Sequence, residues 1–163
     1  MTVARPSPAF LVSHPAHAIA LGFGAGLAPV APGTVGTLLA WPLGWLLGGV
    51  LSPALFLLAL AAMFIVGTWA CTVTGRHLGV EDHAAMVWDE IVAFLLVLAI
   101  VPRDFRWQLA AFVLFRAFDI LKPPPIRWFE RRYHGGFGVM LDDLLAAGYA
   151  LIVLALARRI ADW

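Results

Sequence analysis

The chain has 163 residues, a formal net charge of +1 and 62% hydrophobic residues, with only 13% charged, about half the ~25% usual in soluble domains. A mean hydropathy of +0.89 and seven tryptophans describe a chain whose solvent is largely lipid. Disorder and a disulfide scaffold are excluded, the single cysteine Cys71 lies inside an apolar run as packing, and a near-zero net charge removes the general argument for nucleic-acid binding.

Residues 1–13 (MTVARPSPAFLVS) hold only a four-residue apolar stretch, too short for the ~7–15 residue core of a secretory signal. They read as an N-terminal tail, and insertion is expected to use internal segments. The glycine-rich stretch from His14 to Ala28 reads as an interfacial or re-entrant helix. Between Arg5 and Arg76 there is no acidic or basic residue, and two membrane passes fit there, Thr34 to Val50 and Pro53 to Thr74, with Ser52-Pro53 as the turn. Three shorter apolar runs follow, roughly Met86 to Val101, Trp107 to Leu121 and Leu141 to Ala157. The fold expected is all-α: a polytopic helical membrane protein, one domain over residues 1–163, with about four to five membrane-embedded helices plus the N-terminal interfacial or re-entrant one.

With five spans, parity puts nearly all the polar chemistry on one membrane side: PGTVGT, EDHAAMVWDE, and RAFDILKPPPIRWFERRYHGG running into LDD. That side holds Arg5, Arg76, Lys122, Arg127, Arg131 and Arg132, against Arg103, Arg106, Arg158 and Arg159 opposite. The excess of cations predicts that the chemical side faces the cytoplasm. IRWFERRY alternates aromatics with arginines, as suits either a short helix against anionic headgroups or a belt that only anchors the loop.

Asp89 and Glu90 are expected at the start of the third span and Asp142 and Asp143 at the start of the fifth. Acids in a first helical turn are ordinary caps, but carboxylates at the edge of hydrocarbon cost several kcal/mol unless paired or metal-bound. Oxygen ligands with room for water and phosphate suit magnesium better than zinc, and no CxxC or HExxH pattern exists. Arg116, Asp119 and Lys122 stand three residues apart on one helical face, either as a sealing ion pair or as a metal ligand or base flanked by two phosphate-gripping cations. Asp82 would share the face of Asp89 if that helix began early, and His83 beside it is ordinarily structural. GFGAGLAPVAPGTVGT carries small residues that let helices pack closely, yet Thr34 and Thr37 at a helix N-terminus offer amides and hydroxyls to an anion. His134 to Gly138 can bring backbone close from the other side.

Together, GFGAGLAPVAPGTVGT (22–37), DHAAMVWDE (82–90), FRAFDILKPPPIRWFE (115–130) and HGGFGVMLDD (134–143) resemble the phosphatidylglycerophosphatase A family, in the family's order and over most of the chain. The resemblance implies a small multi-pass protein of the bacterial inner membrane that hydrolyses phosphatidylglycerophosphate to phosphatidylglycerol and inorganic phosphate, requiring Mg²⁺, on the cytoplasmic side. The family's motif acids fall on Asp82, Asp89, Glu90, Asp119, Asp142 and Asp143, and its basic residues on Arg116, Lys122 and Arg127. Within that scheme we assign Asp89, Glu90, Asp142 and Asp143 to the metal, and Asp89, Asp119 and Asp82 to catalysis. Thr34, Thr37, Arg116, Lys122, Arg127 and His83 are assigned to the phosphate. The partners expected are an anionic phospholipid substrate and the membrane, with no nucleic acid and no obligate protein. The alternatives are a small transporter using the intramembrane acids and arginine, and a phosphatase for another headgroup such as phosphatidic acid.

Overall fold

Helix starts in this chain are written by proline. Pro8, Pro15, Pro32 and Pro53 each occupy the first turn of a helix, where the missing N–H is no loss and the fixed φ is already helical. The computed structural model describes residues 5–160, and all its regular elements among them are helical. Helix α1 (Pro8–Ser13) and helix α2 (Pro15–Ala20) are followed by a 3-10 turn (Gly22–Leu27) and then α3 (Pro32–Val50). Helix α4 (Pro53–Leu78) is capped by the Ser52 hydroxyl and ended by Gly79, whose φ of 74° suits glycine. Next come α5 (Trp88–Ile100), α6 (Phe105–Leu121), the short α7 (Ile126–Arg132) and α8 (Gly135–Ile160).

The N-terminal stretch read as one interfacial or re-entrant helix is α2 plus the 3-10 turn, and residues 8–13 of the expected tail form α1. This hairpin is tied to the end of α4. Nδ1 of the buried His17 donates to the Phe10 carbonyl at 2.9 Å, leaving its Nε2 to pair with His77 Nδ1 at 2.8 Å.

Three helices, α3, α4 and α8, are long and apolar enough to cross a membrane. At ~1.5 Å per residue the 26 residues of α4 and of α8 give about 39 Å, more than the ~30 Å hydrocarbon thickness. Helix α5 differs: its 13 residues rise only about 20 Å, and nine of them are buried. It is the core of the molecule, packed by α3, α4 and α8, and carries the fully enclosed Ile91, Phe94 and Leu95.

Two expectations are corrected. Asp82 does not lie on the face of α5, because that helix begins only at Trp88; the Met86 amide is taken by the His83 carbonyl and the Val87 amide by Ala20, both at 2.7–2.8 Å. Asp142 and Asp143 are not at the start of their helix, because α8 begins six residues earlier than Leu141, at Gly135. Gly136 makes this possible: its amide donates to the Thr72 hydroxyl at 3.1 Å, and a Cβ there would run into the α4 backbone at Thr68 and Thr72. First-turn capping therefore does not account for that acid pair.

The far end is closed by the α5–α6 turn, where the Arg103 guanidinium lies against Gly48. Above it an aromatic wedge of Trp41, Phe94, Phe112 and Phe115 joins α3, α5 and α6. One buried amide oxygen organises it: Gln108 Oε1 accepts from both the Trp41 and Trp45 indoles, at 2.6 and 2.8 Å. Gln108→Leu deprives two donors at once, and should cost about 2 kcal/mol. A lowered thermal midpoint in detergent checks this.

Candidate active site

The first turn of α5 and the third turn of α8 bring acids together. Ligand oxygens of Asp89, Glu90 and Asp143 all lie within 4.8 Å of one another. Asp89 and Asp143 are buried, and Glu90 is nearly so. Asp89 Oδ1, Glu90 Oε2 and Asp143 Oδ2 are enclosed without any hydrogen-bond partner. Three unsatisfied carboxylates in such a space repel one another and are poorly solvated; a cation is the ordinary resolution. An all-oxygen donor set fits a hard divalent ion.

The cations at the site are already engaged. Arg116 Nη1 sits 2.6 Å from Asp119 Oδ2 and 3.5 Å from Glu90 Oε1, while its Nε is buried with nothing to donate to. Asp119 also lies beside Asp143. Lys122 caps the end of α6 and reaches Glu130 at 3.0 Å and Asp142 at 3.3 Å. Burial opposes its charge, but the Glu130 hydrogen bond and the charges of Asp142, Glu130 and Asp82 outweigh it and hold the ammonium above the usual lysine range. Asp142 thus faces Lys122, while its neighbour Asp143 faces Asp89 and Glu90, as the ~100° step between adjacent helical residues dictates.

Asp82 lines a small cleft with Asp142, Glu130 and Tyr133 beside this centre. His83 turns back on its own loop, its Nδ1 accepting from the Ala85 amide at 3.0 Å. Arg127 donates to the Leu121 carbonyl at 3.0 Å, closing the end of α6. The Thr37 hydroxyl is buried and donates to the Gly33 carbonyl at 2.8 Å, whereas Thr34 sits half-buried in the first turn of α3.

Two participants carried no sequence signal of their own. Glu130, the strongest partner of Lys122, is eight residues away across the cis Pro124–Pro125 bend. Gly33 is the point where α3 meets the site: a Cβ there would collide with Glu90 Oε1 and stand 3.1 Å from Arg116 Nη2. The glycine brings the free amides at the start of α3 against the Glu90–Arg116 pair.

The profile of the family described as Phosphatidylglycerophosphatase A matches residues 18–158. A Haemophilus influenzae protein named phosphatidylglycerophosphatase A is 46% identical over 155 residues, covering 94% of this chain and 95% of that protein. An Escherichia coli protein of the same name is 43% identical over 136 residues, 83% of this chain and 78% of the relative. A Bacteroides thetaiotaomicron protein provisionally named a phosphatidylinositol-3-phosphatase is also 43% identical, over 148 residues, 86% of this chain and 91% of the relative. No solved structure matches the chain. By profile, identity and coverage alike, this chain belongs to the phosphatidylglycerophosphatase A family of phosphoric monoester hydrolases.

Proposed function

We propose that the protein hydrolyses phosphatidylglycerophosphate to phosphatidylglycerol and inorganic phosphate, using Mg²⁺, at the cytoplasmic face of the bacterial inner membrane, as a single domain over its whole length. The observation that carries this reading is the trio of partnerless carboxylate oxygens on Asp89, Glu90 and Asp143 beside an arginine whose Nε has no acceptor. One cluster wants a cation and its neighbour wants an anion. A divalent ion with a phosphomonoester satisfies both.

Asp89, Glu90 and Asp143 would hold the ion, with Asp142 placed to reach it only by leaving Lys122. When bound, magnesium supplies polarisation of the phosphoryl oxygens and neutralisation of charge. The chain's own part is to position and to shuttle protons. Arg116, fixed by Asp119 and Glu90, offers its Nε to a phosphoryl oxygen, and Lys122 and the first-turn amides and Thr34 hydroxyl of α3 approach from the flanks. Asp119, anchored at 2.6 Å by Arg116, and Asp82, in the adjoining cleft, are the acids placed to take a proton from attacking water. Thr37 and His83 act by shaping their own backbone, and Arg127 by fixing the start of the α7 loop.

The test is phosphate release by purified protein in detergent from three lipids: phosphatidylglycerophosphate, phosphatidic acid and phosphatidylinositol-3-phosphate, each with Mg²⁺ and with EDTA. Release chiefly from the first, lost with EDTA, is expected. Preference for another lipid overturns the substrate, and release undiminished by EDTA overturns the metal.

Helix α7 carries exposed Trp128 with Arg131 and Arg132 in its last turn. On the same side as the acids, these cations would concentrate anionic lipid near the site. Each basic residue at a charged surface is worth ~1 kcal/mol, so Arg131→Gln with Arg132→Gln should raise KM on anionic vesicles by about fivefold per arginine and leave kcat unchanged. A fall in kcat alone would refute this role.

A further inference from the structure

A groove of about 620 Å³ opens at the end of the molecule away from the acids. Val101 and Trp107 from the α5–α6 turn and the start of α6 form one wall, Leu151 and Leu154 of α8 the other, and Arg158 and Arg159 stand at its rim. Its volume is that of an ordinary ligand site. From Asp142 to Arg158 is sixteen residues of continuous helix, about 24 Å along the axis. This groove is therefore separate from the candidate active site, on the opposite side of the membrane.

The groove's polarity is graded along α8. Leu151 and Leu154 lie about two turns inside the helix end, at hydrocarbon depth, and the two exposed arginines occupy the last turn, at the interface. An amphiphile with acyl chain inward and headgroup outward has the same grading. A neutral apolar ligand would leave both guanidinium groups unused. A zwitterionic lipid would bring its own cation against them, whereas an anionic phosphodiester offers oxygens that a guanidinium fork binds in pairs. We propose that this groove binds one anionic phospholipid from the leaflet opposite the acid cluster.

The proposal does not depend on the phosphatase reading, and its readout is binding. Full-length protein in detergent would be titrated with phosphatidylglycerol and, separately, phosphatidylethanolamine of the same acyl chains, and retained lipid counted by native mass spectrometry. Retention of phosphatidylglycerol over phosphatidylethanolamine is expected. Arg158→Gln with Arg159→Gln should weaken that retention about tenfold, whereas Arg131→Gln with Arg132→Gln, on the other membrane side, should not remove it. Ala155→Phe, which fills the groove from an exposed position and keeps both arginines, should lose the lipid as well. Equal retention of the two lipids, or undiminished phosphatidylglycerol binding in both groove variants, would overturn the proposal.

Discussion

Asp89→Asn is expected to lower phosphate release by at least about a thousandfold while the protein stays folded and inserted. The substitution keeps the shape of a buried side chain but removes one of three carboxylates whose oxygens crowd within 4.8 Å. Two consequences separate this from general damage. Without divalent cation, the variant should be at least as stable as the parent, because the mutual repulsion of the trio is relieved. With Mg²⁺ added, the parent should gain thermal stability by ligand linkage and the variant should gain little. A thermal scan of both proteins, with magnesium and with EDTA, gives all four values. An active Asp89→Asn, or one whose midpoint rises with magnesium as the parent's does, would remove the metal assignment.

The second large effect is expected from a residue with no functional group. Gly33→Ala adds a methyl where Glu90 Oε1 already stands, with Arg116 Nη2 3.1 Å away. Alanine improves helix propensity, so α3 itself should persist. The clash must be met by moving the Glu90 carboxylate or by lifting the start of α3 from the site, and either change spoils the arrangement of acid, arginine and amides. Activity should fall about a hundredfold or more, with the far-ultraviolet circular dichroism unchanged. Wild-type kcat in Gly33→Ala would show that the approach of α3 to Glu90 is not needed.

Much of this architecture was legible because lipid imposes simple rules. Unbroken apolar runs marked α3 and α4, and Ser52-Pro53 marked the turn between them, where serine does act as the cap. Parity then gathered the acids on one side, and Asp89, Glu90 and Asp143 do meet. Boundaries were less legible where tertiary contacts override local pattern. Met86 and Val87 look helical by hydrophobicity, yet their amides are taken by the carbonyls of His83 and of Ala20, the latter sixty-seven residues earlier in the chain and beyond the reach of any local pattern. The start of α8 was hidden behind three glycines, which read as loop, although one of them, Gly136, is a close contact with α4. The division of labour between Asp142 and Asp143 could not be read from an adjacent pair, since it depends on which side of α8 Lys122 and α5 lie.

The brevity of α5 has a mechanical consequence. Bilayers differ in thickness, and a crossing helix answers by tilting or by stretching its surroundings. Helices α3, α4 and α8 are the ones long and apolar enough to cross and so to feel that load, whereas α5 is largely sheathed by protein and is shorter than the hydrocarbon is thick. Its acids are suspended inside a frame, like an instrument on an isolated mount. Changes in membrane thickness are taken up by the outer helices, and the spacing of Asp89 and Glu90 is set by packing instead of by the lipid around it.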